Sequence, residues 1–289
     1  ILVGGLAVLA AAVFPVGAES PHDVRIAVLQ NVSSIPVAIQ GSYEIIDARD
    51  GRSLQTGRML NKTFLRAGAK SIVIDGTNLE TDHIRIIPRM MTTLWAGGNK
   101  KNYRGTLDVY LNDKQKLLVV NTLDVEQYIK GVLQHEISDK WPMEAIKAQA
   151  VAVRTYAYYQ MNKSSQYPFD MTGDIYSQVY GGATAERRRT NFGTEQTAGL
   201  VLTDDGFIFP AYFHSTCGGH TEDARQLWPG ESWSTLHGRA CGSCMISPHY
   251  QWRKNYRSKD IQDALNANGY NLGLIKEIRA ELLEIGAGD

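Results

Sequence analysis

The sequence has 289 residues, in which 30 lysines and arginines balance 30 aspartates and glutamates, and 43% of the residues are hydrophobic. Such a chain is long and apolar enough for one large domain or two smaller ones. Zero net charge argues against an electrostatic nucleic-acid-binding protein, which carries a clustered basic surplus. The three cysteines are too few for a disulfide scaffold, so they form one bridge with a thiol left over or serve a metal.

The first 18 residues differ in composition from the rest. They read ILVGGLAVLAAAVFPVGA and contain no charged residue, and a polar chain follows from Glu19. An apolar run that ends in small residues predicts a secretory signal, and an uncleaved membrane anchor is the alternative. A buried core helix is a third interpretation, which Gly4, Gly5 and Pro15 disfavour. We therefore expect the protein to work outside the cytoplasm, in the periplasm or cell envelope.

Residues 22–120 have the pattern of a β-rich region. Runs of β-branched residues such as VRIAVL and KLLVVN predict strands, and Asp50-Gly51 and Asp75-Gly76 supply turn residues between them. Leu107, Val109 and Leu111 alternate with polar neighbours, which is typical of a half-buried strand. We expect this region to pack on, or present, the segment that follows.

From residue 121 onward the apolar spacing changes to that of helices. Leu123, Tyr128, Ile129, Val132 and Leu133 fit one helix. A second helix is predicted after Pro142, which suits a first helical position. Its buried stripe runs at steps of three and four through Met143, Ile146, Ala150, Val153 and Ala157.

Later turn residues and a last helix complete the prediction. Asp204-Asp205-Gly206 predicts a hairpin, and a final helix is expected near Ile261–Ala267. The predicted fold class is α+β, with a β-rich module over 22–120 followed by a mixed helix and strand core over 121–289.

The segment 121–159, NTLDVEQYIKGVLQHEISDKWPMEAIKAQAVAVRTYAYY, resembles the signature of the SpoIID/LytB family, stage II sporulation protein D and its relatives. Further similar pieces follow in order: SQVYGG at 177–182, TAGLVLTDDG at 197–206 and AYFHSTCGGHTED at 211–223. In this family the domain continues beyond a stretch like GLIKEIRAELLEI, so the resemblance implies a core that is shortened at its C-terminal end.

The resemblance implies an activity on peptidoglycan. Some members are lytic transglycosylases, which cut the MurNAc–GlcNAc bond of denuded glycan strands and leave 1,6-anhydro ends, while others enhance a cell-wall amidase. The glutamate that it marks as the catalytic acid corresponds to Glu136. Cleavage of a glycosidic bond needs a carboxylic acid to protonate the leaving oxygen. Val132, Leu133 and Ile137 give Glu136 apolar neighbours that would keep it protonated.

Four further residues are candidates for substrate binding. Arg154 and Lys147 could hold sugar hydroxyls or carboxylates, and the structural alternative for Arg154 is an ion pair with Glu126 or Glu144. Gln178 and Tyr180 resemble residues that line the cleft of the family, and a buried tyrosine with a satisfied hydroxyl is the alternative for Tyr180.

The cysteines predict a metal site. Cys241 and Cys244 form a C-x-x-C pair, and Cys217 together with His220 would complete a Cys₃His zinc site of structural type. His214 and His249 are other nearby histidines. A disulfide with one free thiol is the alternative in an oxidising compartment. The zinc ligands that some family members carry near 167–180 are not matched, because this chain has neither Cys nor His there.

The expected partners follow from these interpretations. They are peptidoglycan glycan strands, with a cell-wall amidase as a further partner if the chain is a non-catalytic binding module. We expect no nucleic-acid partner, and contact with a membrane only through residues 1–18.

Overall fold

The computed structural model describes residues 13–15 and 23–279, apart from residues 165, 229 and 231. Except for Val13–Pro15, the predicted signal or anchor at 1–18 therefore lies outside the described residues. Among the residues described, none of the helices combines the length and the hydropathy needed to cross a membrane.

The described residues form sixteen strands and five α-helices. In chain order the strands are β1 (Val13–Pro15), β2 (Asp23–Val32), β3 (Ser34–Gln40), β4 (Tyr43–Asp47), β5 (Ser53–Gly57), β6 (Leu60–Ala67), β7 (Ile72–Ile74), β8 (Thr77–Asn78), β9 (His83–Pro88), β10 (Met91–Ala96), β11 (Asn99–Tyr103), β12 (Thr106–Leu111), β13 (Leu117–Asp124), β14 (Met171–Thr172), β15 (Leu200–Asp204) and β16 (Phe207–Ile208). The helices are α1 (Val125–Glu136), α2 (Met143–Lys163), α3 (Arg188–Gln196), α4 (Ala224–Leu227) and α5 (Ser258–Ala267). Short 3₁₀ turns lie at Gly182–Ala185, Ser234–Leu236 and Ser243–Ile246.

The strands form three sheets. The largest has the order β14-β2-β13-β12-β9-β4-β5, the second β11-β10-β3-β6-β7-β8 and the third β1-β15-β16. Neighbours are antiparallel except for β14, which runs parallel to β2. The predicted α+β class is confirmed.

The chain divides into two compact units. The first contains residues 1–213 and 230–236, with all the strands and helices α1 to α3, and the second contains residues 214–229 and 237–289, with α4 and α5. Asn121, where the apolar pattern changes, lies on β13 inside the first unit.

The turn residues act where the sequence predicts them. Asp205 and Gly206 both have positive φ, at 48° and 83°, between β15 and β16. Asp75 and Gly76, at 50° and 79°, join β7 to β8. Two consecutive positive φ values match the twist of paired strands, which is why Asp-Gly favours two-residue hairpins.

Strand β12 follows the predicted alternation with one exception. Leu107 and Val109 are buried, but Asp108 between them is buried as well. Arg85 Nε donates to Asp108 Oδ1 at 2.9 Å, and His83 Nε2 lies 3.3 Å from the same oxygen. A buried carboxylate is tolerated because these partners satisfy it.

Helix α1 begins later than the apolar spacing suggests. Leu123 belongs to β13, because the Asp124 carboxylate caps the helix by accepting from the backbone N–H groups of Glu126 and Gln127 at 2.9 and 3.3 Å. Such a cap satisfies N–H groups that have no partner inside the helix. In α2, Pro142 is the N-cap rather than the first helical residue, since its ψ of 143° is extended.

Gly131 lets a buried segment approach α1 closely. A methyl group on its Cα would overlap the ring of Tyr180, which is itself buried. The backbone N–H of Gly181 also donates to the Gly131 carbonyl at 3.0 Å. Residues 180–181 are therefore held directly against the helix backbone.

We expect Gly131→Ala to destabilise the protein. Alanine gains about 1 kcal/mol of helix propensity over glycine, but overpacking a fixed core costs about 1–3 kcal/mol, and the Tyr180 ring cannot move away. Urea unfolding measures the net change. Ala148→Gly, at an exposed position of α2, is the control: it measures the stability difference between alanine and glycine in a helix without any packing change. A Gly131→Ala protein more stable than wild type would contradict the proposed contact.

Candidate active site

Glu136 is the last residue of α1. The next residue, Ile137, is extended, and its N–H donates to the Leu133 carbonyl at 2.9 Å to close the helix. Val132 and Leu133 are fully buried, so the end of α1 is anchored in the core. The helix thereby carries the Glu136 carboxyl to the edge of the core.

The surroundings of Glu136 favour its protonated form. The side chain is half-buried, and burial raises the pKa of the carboxyl above its ordinary value of 4.5. The backbone N–H of Val179 donates to the carboxylate and opposes part of that rise. A carboxylic acid that holds its proton closer to neutral pH can act as a general acid.

The Gln178 side chain is held by a tyrosine of α1, the helix that ends at Glu136. Gln178 is 2% exposed, and Tyr128 Oη donates to Gln178 Oε1 at 3.0 Å. The side-chain Nε2 has no partner among the described residues. Because Val179 follows directly, the Tyr128–Gln178 bond also fixes the peptide whose N–H reaches Glu136. Substrate binding by Gln178 stays a prediction.

Tyr180 is a buried part of the same segment. It is 2% exposed, its hydroxyl donates to Asn121 Oδ1 at 2.9 Å, and its ring centre lies 5.2 Å from that of Tyr128. These are the contacts of the structural alternative, a buried tyrosine with a satisfied hydroxyl. The Tyr180 hydroxyl is therefore bonded to a residue of β13 in the interior rather than lying at the surface.

Arg154 ties α2 to three other elements. It is 0% exposed, and its Nε and one terminal nitrogen donate to the two carboxylate oxygens of Glu126, both at 2.7 Å. The remaining N–H groups reach the carbonyls of Leu200 at 3.1 Å and Thr194 at 3.3 Å. The ion pair with Glu126, given above as the structural alternative, is therefore present, and it joins α2 to α1, α3 and β15.

Lys147 lies on the surface of α2. Its Nζ is 2.8 Å from Glu144 Oε1 in an i,i+3 pair, and the Glu144 side chain is 83% exposed. No described contact links Lys147 to Glu136. The contact with Glu144 neither supports nor opposes substrate binding by Lys147, which stays a prediction.

Two cationic residues near the end of α1 were missed by the sequence analysis. Burial lowers the pKa of His135, and the charges of Lys101 and Arg187 lower it further. Lys101 is on β11 and Arg187 precedes α3, so only the fold brings them near His135, the neighbour of Glu136. The Val179 donor was missed as well, because a backbone N–H leaves no mark on a sequence.

The predicted metal ligands are brought together only in part. The sulfur atoms of Cys217, Cys241 and Cys244 all lie within 4.8 Å of one another in the second unit, and all three are free thiols. Among the described residues this group contains no histidine. The backbone of His220 forms an isolated bridge with that of Ala240, and zinc binding by its side chain stays a prediction. The cysteine group could bind a metal ion.

Comparison with known proteins supports the resemblance. Residues 113–203, which include Glu136, match the family model described as Stage II sporulation protein, SpoIID. The chain is 39% identical over 131 residues to an uncharacterized protein of Brachyspira hyodysenteriae, which covers 45% of this chain and 35% of that protein.

Among the relatives with functional names are two from Bacillus subtilis. The chain is 30% identical over 203 residues to the Amidase enhancer of Bacillus subtilis, covering 65% of this chain and 27% of the relative. It is 30% identical over 161 residues to the Stage II sporulation protein D of Bacillus subtilis, covering 50% and 47%. The chain thus matches less than half of the length of each of these relatives. The predicted resemblance to the SpoIID/LytB family is confirmed by these matches.

We expect Arg154→Met to lower the free energy of unfolding by about 3–5 kcal/mol, because removal of one partner leaves the other charge of a buried pair uncompensated. Lys147→Met, which breaks an exposed pair, should cost at most about 1 kcal/mol. Urea unfolding of both variants tests this. The double variant Arg154→Met/Glu126→Gln should regain part of the loss. Wild-type stability in Arg154→Met would show that the pair does not hold the helices.

We expect Glu136→Gln to stabilise the folded protein at neutral pH. The folded state raises the pKa of Glu136 above 4.5, so ionisation costs more in the folded than in the unfolded chain. Below pH 4.5 both states are protonated, and the variant and wild type should melt together. As pH rises through the folded-state pKa, wild type alone loses stability. Thermal melts across this range test the sign, and a wild type more stable than the variant at neutral pH would contradict it.

Proposed function

We propose that this chain is a lytic transglycosylase of the bacterial cell wall, with Glu136 as its single general acid and base. The substrate would be the MurNAc–GlcNAc bond of denuded glycan strands. The proposal is supported by the SpoIID match over residues 113–203 and by relatives named Stage II sporulation protein D and Amidase enhancer.

The observation that carries the proposal is the raised pKa of Glu136 at the end of a helix anchored in the core. Burial stabilises the protonated carboxyl that the first half of the reaction consumes. The Val179 N–H stabilises the carboxylate that this half produces. Each protonation state of Glu136 is thus stabilised by its surroundings. A group that acts first as an acid and then as a base requires this.

In the proposed reaction the Glu136 carboxyl donates its proton to the oxygen that leaves with GlcNAc. The bond from C1 of MurNAc to that oxygen breaks through an oxocarbenium-like transition state. The C6 hydroxyl oxygen of the same MurNAc then attacks C1, and the Glu136 carboxylate takes the hydroxyl proton. No water is consumed, the carboxyl is restored, and the products are a 1,6-anhydro end and a free GlcNAc 4-hydroxyl.

A second feature near the site fits this substrate. Each MurNAc of a denuded strand carries a lactyl carboxylate, so the strand is anionic. Lys101 and Arg187, whose charges act on His135 beside Glu136, would attract such a strand. Their placement supports a glycan with carboxylates over a neutral polysaccharide.

The second candidate function is a non-catalytic module that binds peptidoglycan and enhances a cell-wall amidase. It is favoured by the 30% identity to a protein named Amidase enhancer over 203 residues. Such a module could retain Glu136 as a hydrogen-bonding group, so the presence of this residue does not separate the two functions.

Either function requires access to peptidoglycan. We therefore propose an extracytoplasmic location, in the periplasm or cell envelope, reached through a signal or anchor at residues 1–18.

We expect Glu136→Gln to reduce cleavage of denuded glycan strands by at least about 10²-fold, the loss typical of a missing general acid. Glutamine keeps the size of the side chain but cannot supply a proton. Anhydro ends are counted by mass spectrometry after incubation of strands with each protein. Glu144→Gln, at an exposed glutamate of the next helix, is the matched control and should cleave like wild type.

The same proteins separate the two functions. If wild type forms no anhydro ends, but it and Glu136→Gln equally accelerate stem-peptide release by an added cell-wall amidase, the chain is an enhancer and the transglycosylase proposal is wrong. Wild-type cleavage by a folded Glu136→Gln protein would remove Glu136 from the mechanism.

A further inference from the structure

The three cysteines of the second unit have the spacing of metal ligands. Cys217 Sγ lies 3.4 Å and Cys241 Sγ 4.0 Å from Cys244 Sγ, and all three sulfurs fall within 4.8 Å of one another. Tetrahedral zinc with Zn–S bonds of about 2.3 Å separates its sulfur ligands by about 3.8 Å. The observed distances bracket that separation, so one ion can contact all three sulfurs with small side-chain adjustments.

The backbone holds the two cysteine segments together. Cys241 N–H donates to the Gly219 carbonyl at 2.8 Å, and Thr221 N–H donates to the Arg239 carbonyl at 2.8 Å, on either side of the His220–Ala240 bridge. Gly218 and Gly219 have φ values of 68° and 114°, which turn the chain sharply after Cys217. These contacts place Cys217 opposite the C-x-x-C pair without any bond between sulfurs.

A backbone amide of one cysteine segment points at a sulfur of the other. Cys244 Sγ accepts from the N–H of Cys217 at 3.5 Å. A hydrogen bond from a fixed donor orients the sulfur, as outer-shell partners do in metal sites.

We propose that Cys217, Cys241 and Cys244 bind one Zn²⁺ ion as thiolates, with the fourth coordination position filled by water or another small external ligand. Thiolate sulfur selects zinc over Mg²⁺ or Ca²⁺, which take oxygen ligands. The fourth position is open because the described residues bring no histidine or carboxylate into the group. The cysteines are only half-buried, so solvent can reach the ion.

This assignment differs from the Cys₃His site expected from the sequence. His220 is exposed, and its backbone is committed to the pairing with Ala240. The ion would join the 217–221 segment to the 241–244 turn, so its role is to hold the fold of the second unit. The competing chemistry is oxidation of two of the three cysteines to a disulfide that leaves the third thiol free; Cys217 and Cys244, whose sulfurs lie 3.4 Å apart, are one such pair.

The first test uses the full wild-type chain, purified in the presence of a thiol reductant. We expect about one zinc per chain by elemental analysis, as in other tetrahedral structural sites. All three thiols should resist alkylation until a chelator is added. Co²⁺ added to the metal-free protein should give the sulfur-to-cobalt charge-transfer absorption of a thiolate site. Absence of zinc, with three thiols that alkylate freely, would overturn the proposal.

Variants then test the ligand set by zinc titration. Cys241→Ser should weaken zinc binding by more than about 100-fold, beyond the 10–100-fold typical of outer-shell partners. His220→Ala and Ser243→Ala, which keep every sulfur and backbone N–H, should bind zinc like wild type. If His220→Ala weakens binding as much as Cys241→Ser, the open fourth position is wrong.

The disulfide alternative is tested on protein isolated from its natural host without reductant. Mass spectrometry of peptides showing a bridge between any two of Cys217, Cys241 and Cys244, with one free thiol, would overturn the zinc assignment. Peptides with three unbridged cysteines, together with bound zinc, would support it. Because these measurements use wild type, they do not depend on the folding of any variant.

Discussion

The buried guanidinium of Arg154 is the constraint on which the arrangement of the helices depends. An arginine stays charged in a protein, so one that is fully buried needs an opposite charge beside it and hydrogen-bond acceptors for its N–H groups. Glu126 of α1 supplies the opposite charge, and carbonyls of α3 and β15 accept the remaining N–H groups. Desolvation of both charges offsets much of their attraction. The main effect of the pair is therefore on geometry: Glu126 can reach Arg154 only when α1 packs in one position.

The environment of Glu136 follows from that position. Once α1 is fixed, Tyr128 meets Gln178, and Gly131 admits the Tyr180 ring and the Gly181 N–H against the helix. The peptide between these contacts belongs to Val179, which supplies the donor to Glu136. The chemistry at one carboxyl is thus set by packing two turns away along the same helix.

The local features of this fold could be predicted from the sequence because they depend on neighbouring residues. Alternation located β12, Asp-Gly pairs located the hairpins, and helical spacing located α2. The partner of Arg154 could not be chosen between Glu126 and Glu144, because both are glutamates at plausible spacing. The fold decides it, since Glu144 pairs with Lys147 at the surface. The cysteine group was found by spacing, but the three-cysteine set without a histidine depends on how distant segments meet in the fold, which leaves no periodic signal.

Two carboxyls of the first unit show how burial and charge decide protonation. Asp108 is 2% exposed, yet its pKa lies below the ordinary value, because hydrogen bonds and charges from His83 and Arg85 outweigh burial. Glu136 is less buried, yet its pKa is raised, because its described contacts contain an amide donor and no cation. Each unit of pKa corresponds to about 1.4 kcal/mol between the two protonation states. A cation paired directly with Glu136 would hold it ionised and unable to donate, whereas deeper burial would close it to a substrate. Half-burial with one neutral donor leaves the carboxyl accessible while its pKa is raised.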